Sequence, residues 1–169
     1  DSIGTGVIQG SGTVTGNGGA IWMSSSDSNN ALTLTGGTIR GFTATDGGGV
    51  YVSGGSFKMT DGTISTCNAT NAGGGVYVSS GSFEMSGGSI ENCTAHEGAG
   101  VKMYPDSENT TCTFTMSGSA EIKNCSNDGV SIAWSGTSKF IMSGGTIDNN
   151  KGYGLWTSSG SNTEITLSG

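Results

Sequence analysis

The stretch Gly47-Gly48-Gly49-Val50-Tyr51-Val52 returns almost unchanged 26 residues on as Gly73-Gly74-Gly75-Val76-Tyr77-Val78. Self-similarity at a fixed period is the mark of a repeat architecture, in which each unit buries its apolar face only by stacking on its neighbours. Weaker copies stand at Gly18-Gly19-Ala20-Ile21-Trp22-Met23, Gly98-Ala99-Gly100-Val101-Lys102-Met103, Gly129-Val130-Ser131-Ile132 and Gly154-Leu155-Trp156. Each copy opens one coil.

A second block follows in each unit: Phe57-Lys58-Met59, Phe83-Glu84-Met85, Phe114-Thr115-Met116 and Phe140-Ile141-Met142, with Leu32-Thr33-Leu34 and Ile165-Thr166-Leu167 as variants. It alternates with period two. A third apolar mark comes after a glycine turn, at Val14, Ile39, Ile64, Ile90, Ile122 and Ile147. Short alternating segments separated by glycine-rich corners read as strands rather than helices, and near-identical copies favour parallel stacking of like on like. The expected fold is all-β: a right-handed parallel β-helix of about six coils of about 25 residues, three short strands to a coil. At about 4.8 Å between strands such a rod is roughly 30 Å long.

Spacing separates fixed corners from free ones. The step from the Phe mark to the Ile mark is seven residues in four coils and eight from Phe114 to Ile122, as a tight turn with positive φ requires. The step from the first strand to the second ranges from seven to thirteen residues. Insertions therefore gather on one edge of the rod, and loops 24–31 and 104–112 are where such a scaffold carries specificity.

The composition agrees with a solenoid. Among 169 residues there are 33 glycines, a single proline (Pro105) and 11% charged residues. Thirteen acids against six bases give a net charge of −7, which repels phosphate backbones and argues against nucleic acid or anionic lipid as partner. No apolar run is long enough to cross a bilayer, so membrane insertion by this segment is not expected. The repeat is still in progress at Thr163, Ile165 and Leu167, and the expectation is one β-helix domain over 1–169 within a longer surface protein that supplies the caps and the flanking domains.

The blocks GGGVYVSGGSFKMTDGTISTCNAT and GGGVYVSSGSFEMSGGSIENCTA resemble the repeats of bacterial surface β-helix proteins, in particular polymorphic outer-membrane protein repeats and autotransporter adhesins, and the pectate-lyase-like superfamily more broadly. The resemblance covers nearly the whole chain. It implies a secreted or bacterial cell-surface location and a scaffold role, and no family catalytic residues carry over.

Enzymes on such scaffolds cleave acidic or neutral polysaccharides with clustered carboxylates, with calcium and a basic residue, or with a His and Lys pair. Arg40 and His96 are the only residues of their kinds, and Arg40, Ser65, Glu91, Lys123 and Asp148 read as a mixed, solvent-facing charge column. Catalytic residues are not expected, nor is any cofactor. Asp46, Glu97 and Asp128 each precede a glycine-rich strand start and are weak calcium candidates, because no single loop offers the several carboxylates calcium takes.

Cys67, Cys93 and Cys125 fall three residues after successive Ile marks, with Asn150 and Asn17 at the same step elsewhere. They form a ladder. Its in-register side chains point alike rather than at each other, which favours free buried thiols over a disulfide or a zinc site with His96. Cys112, placed in the inserted loop, is the thiol expected to oxidise.

Trp22, Tyr51, Tyr77 and Trp156 lie between inward apolar residues and are expected to face outward as an aromatic row interrupted by Lys102 and Ser131. Stacked exposed rings can bind the faces of sugar rings or pack on a neighbouring domain, although a plain cross-strand ladder that stiffens the sheet is the favoured reading. Four Asn-x-Ser/Thr triplets, at Asn68, Asn92, Asn109 and Asn124, are what chance yields in a Ser/Thr-rich chain. The functional expectation is a non-enzymatic stalk or passenger domain that displays its loops for attachment to a host or surface. The alternatives are a polysaccharide-binding or polysaccharide-degrading module, and an ice-binding solenoid suggested by Thr13, Thr38, Thr63, Ser89 and Thr146 but broken by Glu121.

Overall fold

The computed structural model describes residues 6–24, 30–133, 136–158 and 162–169, and the described elements are all strands. Every pairing is parallel. The chain winds through three walls. The strand Val50–Ser65 shows the plan, because it turns two corners and contributes to all three.

In the first wall, Ile21–Met23, the start of Val50–Ser65, the start of Val76–Met85, Val101–Met103, Val130–Ile132 and Leu155–Thr157 lie side by side. The second wall is built from Ala31–Arg40, Val50–Ser65, Val76–Met85, Thr111–Met116, Thr137–Met142 and Asn162–Leu167. The third comprises Val7–Gln9, the ends of Ala31–Arg40 and Val50–Ser65, then Ser89–Glu91, Glu121–Lys123 and Thr146–Asp148. Among the described residues each wall has six strands, and five coils are complete. A short two-stranded sheet, Thr43–Asp46 with Asn68–Ala72, braces the corner leading back to the first wall.

The register stacks like on like. Val50 pairs with Val76, Phe57 with Phe83, Met59 with Met85 and Ile64 with Ile90. These side chains are fully buried, as are Val101, Phe114, Met116, Ile122, Val130 and Phe140 above them. The Phe column is a ring stack, with centroids 5.0 Å apart for Phe57–Phe83, 4.7 Å for Phe83–Phe114 and 5.3 Å for Phe114–Phe140. Each buried Phe contributes about 1.5–3 kcal/mol by the area it removes from water.

Two glycines show why the corners are what they are. Gly88 has φ of +78°, and a Cβ there would lie 2.5 Å from the Gly62 carbonyl oxygen and 2.7 Å from Met59 Cε. Gly75 opens the first wall, where a Cβ would meet Ile90 Cγ2 at 2.5 Å. Only glycine lets the Ile column close against the start of the first wall.

The third wall corrects one expectation. Val7, Ile8 and Gln9 pair with Thr38, Ile39 and Arg40, so Ile8 rather than Val14 holds the mark in the lowest strand. Val14 sits further along the corner, its N–H donating to the Thr43 carbonyl at 2.8 Å, and Thr13 bridges Thr43. Thr13 thus leaves the hydroxyl column and Asn17 leaves the cysteine column. The reason is the length of that corner, thirteen residues from Ile8 to Ile21 against eight to twelve in later coils.

Candidate functional site

The first wall brings the expected row together: Trp22, Tyr51, Tyr77, Lys102, Ser131 and Trp156 are consecutive partners in one register. It does not expose them as an open aromatic surface. Trp22 is 63% exposed, but Tyr77 falls to 9%, Lys102 to 1% and Ser131 to 0%. Tyr51 and Tyr77 stack at 4.9 Å and 11°, so each spends a ring face on the other rather than on a ligand. The Trp22 indole N–H donates to Ser53 Oγ at 3.3 Å, and that hydroxyl donates to the Met23 carbonyl at 2.9 Å.

The longest insertion begins just beyond this row. Tyr104 continues the pairing, its N–H donating to the Val78 carbonyl at 3.0 Å. Segment 104–110 then packs on the next coil, where a Cβ at Gly136 would come within 2.9 Å of Pro105 Cβ. Burial, with Asp46 and the tyrosines Tyr51 and Tyr104 nearby, raises the Tyr77 phenol well above its ordinary range. Lys102 is the largest polar side chain buried here. Its Nζ meets Glu97 Oε2 at 2.5 Å and Ser131 Oγ at 3.1 Å and lies 5.7 Å from the Trp156 ring centre.

The insertion itself is shorter than the sequence suggested. Thr111 and Cys112 belong to the strand Thr111–Met116, and Cys112 is fully buried with its Sγ 3.6 Å from Ser138 Oγ. Burial pushes its thiol up to about 11. A protonated, enclosed sulfur is a poor nucleophile, which overturns its expected role as the thiol that oxidises. Of loop 24–31, residues 25–29 lie outside the described residues.

The acids at the corner do not converge. Asp46 Oδ1 accepts from Asn71 Nδ2 at 2.8 Å and the Ala72 N–H at 3.2 Å. Glu97 holds Lys102, and Asp128 Oδ1 accepts from the Tyr153 N–H at 2.8 Å. Each carboxylate already has its donor. Among the described residues no group of three or more His, Cys, Asp and Glu side chains is arranged to hold a metal. The charge column stands as read, with Gln9, Arg40, Ser65, Glu91, Lys123 and Asp148 in register. Lys123 bonds Glu121 at 2.5 Å and Glu91 at 3.8 Å, and the Glu121 hydrogen bond raises its pKa. Glu121 also interrupts the hydroxyl column that an ice-binding face would need.

Cys67, Cys93 and Cys125 are free, fully buried and stacked on three successive coils. Their alignment follows from the chain itself: the Thr94 N–H donates to the Cys67 carbonyl at 2.9 Å and the Ser126 N–H to the Cys93 carbonyl at 2.9 Å. Cys93, in the middle, is pushed well up by hydrogen bonds with Cys125 and Cys67 and by burial. The hydrogen bond from Cys93 lowers Cys67 and Cys125. His96 does not join them. It is exposed and lines a shallow hollow of about 310 Å³ with Asn68, Thr70 and Thr94.

One feature escaped the sequence reading. Gly41, Thr66, Asn92, Asn124 and Asn149, each two residues after an Ile mark, all have φ between +49° and +74°. They form a left-handed corner that swings the next side chain into the column of Phe42, Cys67, Cys93, Cys125 and Asn150. Asparagine is among the residues that best tolerate this conformation, so Asn92 and Asn124 have a backbone reason to be where they are. The recurrence of Asn at that step was the available signal.

No curated protein and no solved structure matches the chain. A family model described as a right handed beta helix region matches residues 4–169. Coil, register and corner agree with that match across all three walls, and the chain belongs to the right-handed β-helix family.

Proposed function

We propose that this chain is a non-enzymatic rod of an extracellular, cell-surface protein, and that it holds the loops on its variable edge away from the surface for attachment to a glycan or protein receptor. One observation supports this above others: four of the acids each already hold a partner within the rod. Asp46, Glu97, Asp128 and Glu121 each bind a donor of the same or a neighbouring coil, and Lys102 is enclosed. A catalytic carboxylate needs a free face toward substrate. Segment 104–110, in contrast, carries exposed Asp106, Glu108 and Asn109 at its tip and is held at its base by the next coil. That is a fixed display.

The bacterial adhesin assignment rests on the resemblance of the repeats, and the flanking domains would supply anchor and caps. The test joins two measurements on one protein. Residues 104–111 are replaced by the short Ser79-Ser80 corner of the coil below, and both forms are checked for folding by circular dichroism. Attachment of protein-coated beads to a glycan and extracellular-matrix array should fall at least tenfold in the replaced form. Neither form should depolymerise acidic or neutral polysaccharides. Release of new sugar ends by the parent protein, or attachment unaffected by the replacement, overturns the proposal.

A further inference from the structure

We infer that Cys67, Cys93 and Cys125 form a two-coordinate site for one soft, thiophilic monovalent cation of the Cu(I) or Ag(I) class, held between the sulfurs of two successive coils with Cys93 common to both pairs. The three sulfurs share one local contact, and Cys93 Sγ makes a second, 3.8 Å from the Ile64 carbonyl oxygen of the coil below. Cys67 Sγ lies 3.4 Å from the Ser65 carbonyl oxygen, Cys93 Sγ 3.4 Å from that of Glu91 and Cys125 Sγ 3.5 Å from that of Lys123. Equal local geometry on stacked coils repeats the sulfur at the strand spacing, about 4.8 Å.

That spacing discriminates among the possible fates of the thiols. A disulfide needs sulfurs about 2.05 Å apart and Cβ atoms that approach one another, whereas these side chains run parallel. Zinc asks for four ligands in a tetrahedron, and each sulfur here has at most two sulfur neighbours, one on each adjacent coil. A soft cation in linear coordination fits. Two metal–sulfur bonds in line, each near the roughly 2.3 Å of a zinc–thiolate bond, span about 4.6 Å, close to the coil spacing, and thiolate sulfur selects Cu(I)-type ions.

Charge balance also fits a dry column. On binding, one thiol loses its proton to water and the sulfur it leaves bonds the cation, while the neighbouring thiol donates a lone pair and keeps its proton. One positive ion replaces one proton and the site stays neutral, which avoids the cost of a buried net charge.

Both ends of the column are closed. Asn150 stands above Cys125, its Oδ1 accepting from the Cys125 N–H at 2.9 Å and its Nδ2 donating to the Ile122 carbonyl at 3.1 Å. Phe42 stands below Cys67, its carbonyl accepting from the Asn68 N–H at 2.8 Å. The sulfurs are fully buried, but each follows an exposed or half-buried corner residue, Thr66, Asn92 or Asn124. Uptake therefore requires that corner to open, and is slow.

The test is a titration of the reduced, folded protein with Ag(I), followed by native mass spectrometry and circular dichroism. One ion per chain is expected, retained by Cys112→Ser and by Cys67→Ser, and lost in Cys93→Ser. The Cys67→Ser, Cys125→Ser double variant should also lose it, which keeps the question open to test should Cys93→Ser fail to fold. No ion on the folded parent chain, an ion retained without Cys93, or uptake only when the circular dichroism of the folded state has gone would each overturn the site.

Discussion

The coil from Val76 to Glu91 and the coil from Val101 to Lys123 share every inward column and differ in what they place outward. Val76, Val78, Phe83, Met85 and Ile90 are followed above by Val101, Met103, Phe114, Met116 and Ile122, all essentially without exposure. Outward, Tyr77 gives way to Lys102, and the two-residue corner Ser79-Ser80 gives way to residues 104–111. The inner stack is a chemical repeat. The outer one is only a positional repeat, and it tolerates a charged residue because Glu97 and Ser131 meet that charge. Variation on this fold is thus admitted where its polar atoms find partners, and refused where the side chain faces the core.

The strongest way to break the comparison is at the Phe stack. If the upper coils are packed as the lower ones are, Phe114→Ala and Phe83→Ala should be equally costly, about 3–5 kcal/mol each. For a chain of this size that lowers the melting temperature by roughly 10 °C. A Phe114→Ala variant that melts within a degree of the parent would mean that the insertion has loosened the core above it.

Lys102 sharpens the outward half of the contrast. Lys102→Ala removes the cation that Glu97 and Ser131 share and leaves a gap beside Trp156, at a cost of about 2 kcal/mol. This lies below the range for fully buried pairs because the Glu97 side chain, 58% exposed, regains water. Lys102→Tyr instead continues the Tyr51–Tyr77 ladder and should recover all but about 1 kcal/mol. Urea midpoints of the three proteins decide the matter. Equal midpoints for parent and Ala would show that the buried cation is indifferent to stability.

What was legible in the sequence and what was not divides along the same line. The inward columns were readable because the core forces the same residue type to return at the same step: Phe57, Phe83, Phe114 and Phe140 announce themselves. The register of Trp22, Tyr51, Tyr77, Lys102, Ser131 and Trp156 was readable too. Their burial was not, since the contacts of Lys102 with Glu97, Ser131 and Trp156 carry no periodic signal. Cys112 was misplaced because Thr111-Cys112-Thr113 looks polar, although its alternation with Phe114 already put the sulfur inward. Ile8 was missed because the corner after it is longer than in any later coil, so the nearer Val14 fitted the expected step.

The smallest effect tests the corner that links the walls. In the upper coils the left-handed position is Asn92, Asn124 and Asn149, but in the lower coil it is Thr66, with φ of +49°. A β-branched residue is an outlier there, because its Cβ substituents crowd the backbone, whereas asparagine reaches the region at little cost. Thr66 recovers part of that strain through its Oγ1–H, which donates to the Ser65 carbonyl at 2.7 Å on an exposed surface where water would serve as well. Thr66→Asn should therefore stabilise the protein by about 0.5–1 kcal/mol. The reverse change, Asn92→Thr, should destabilise it by a similar amount. Paired urea curves measure both. A loss of stability in Thr66→Asn would show that the Thr66 hydroxyl, rather than the backbone conformation, sets the preference at this corner, and that the lower coil turns for a different reason from the upper ones.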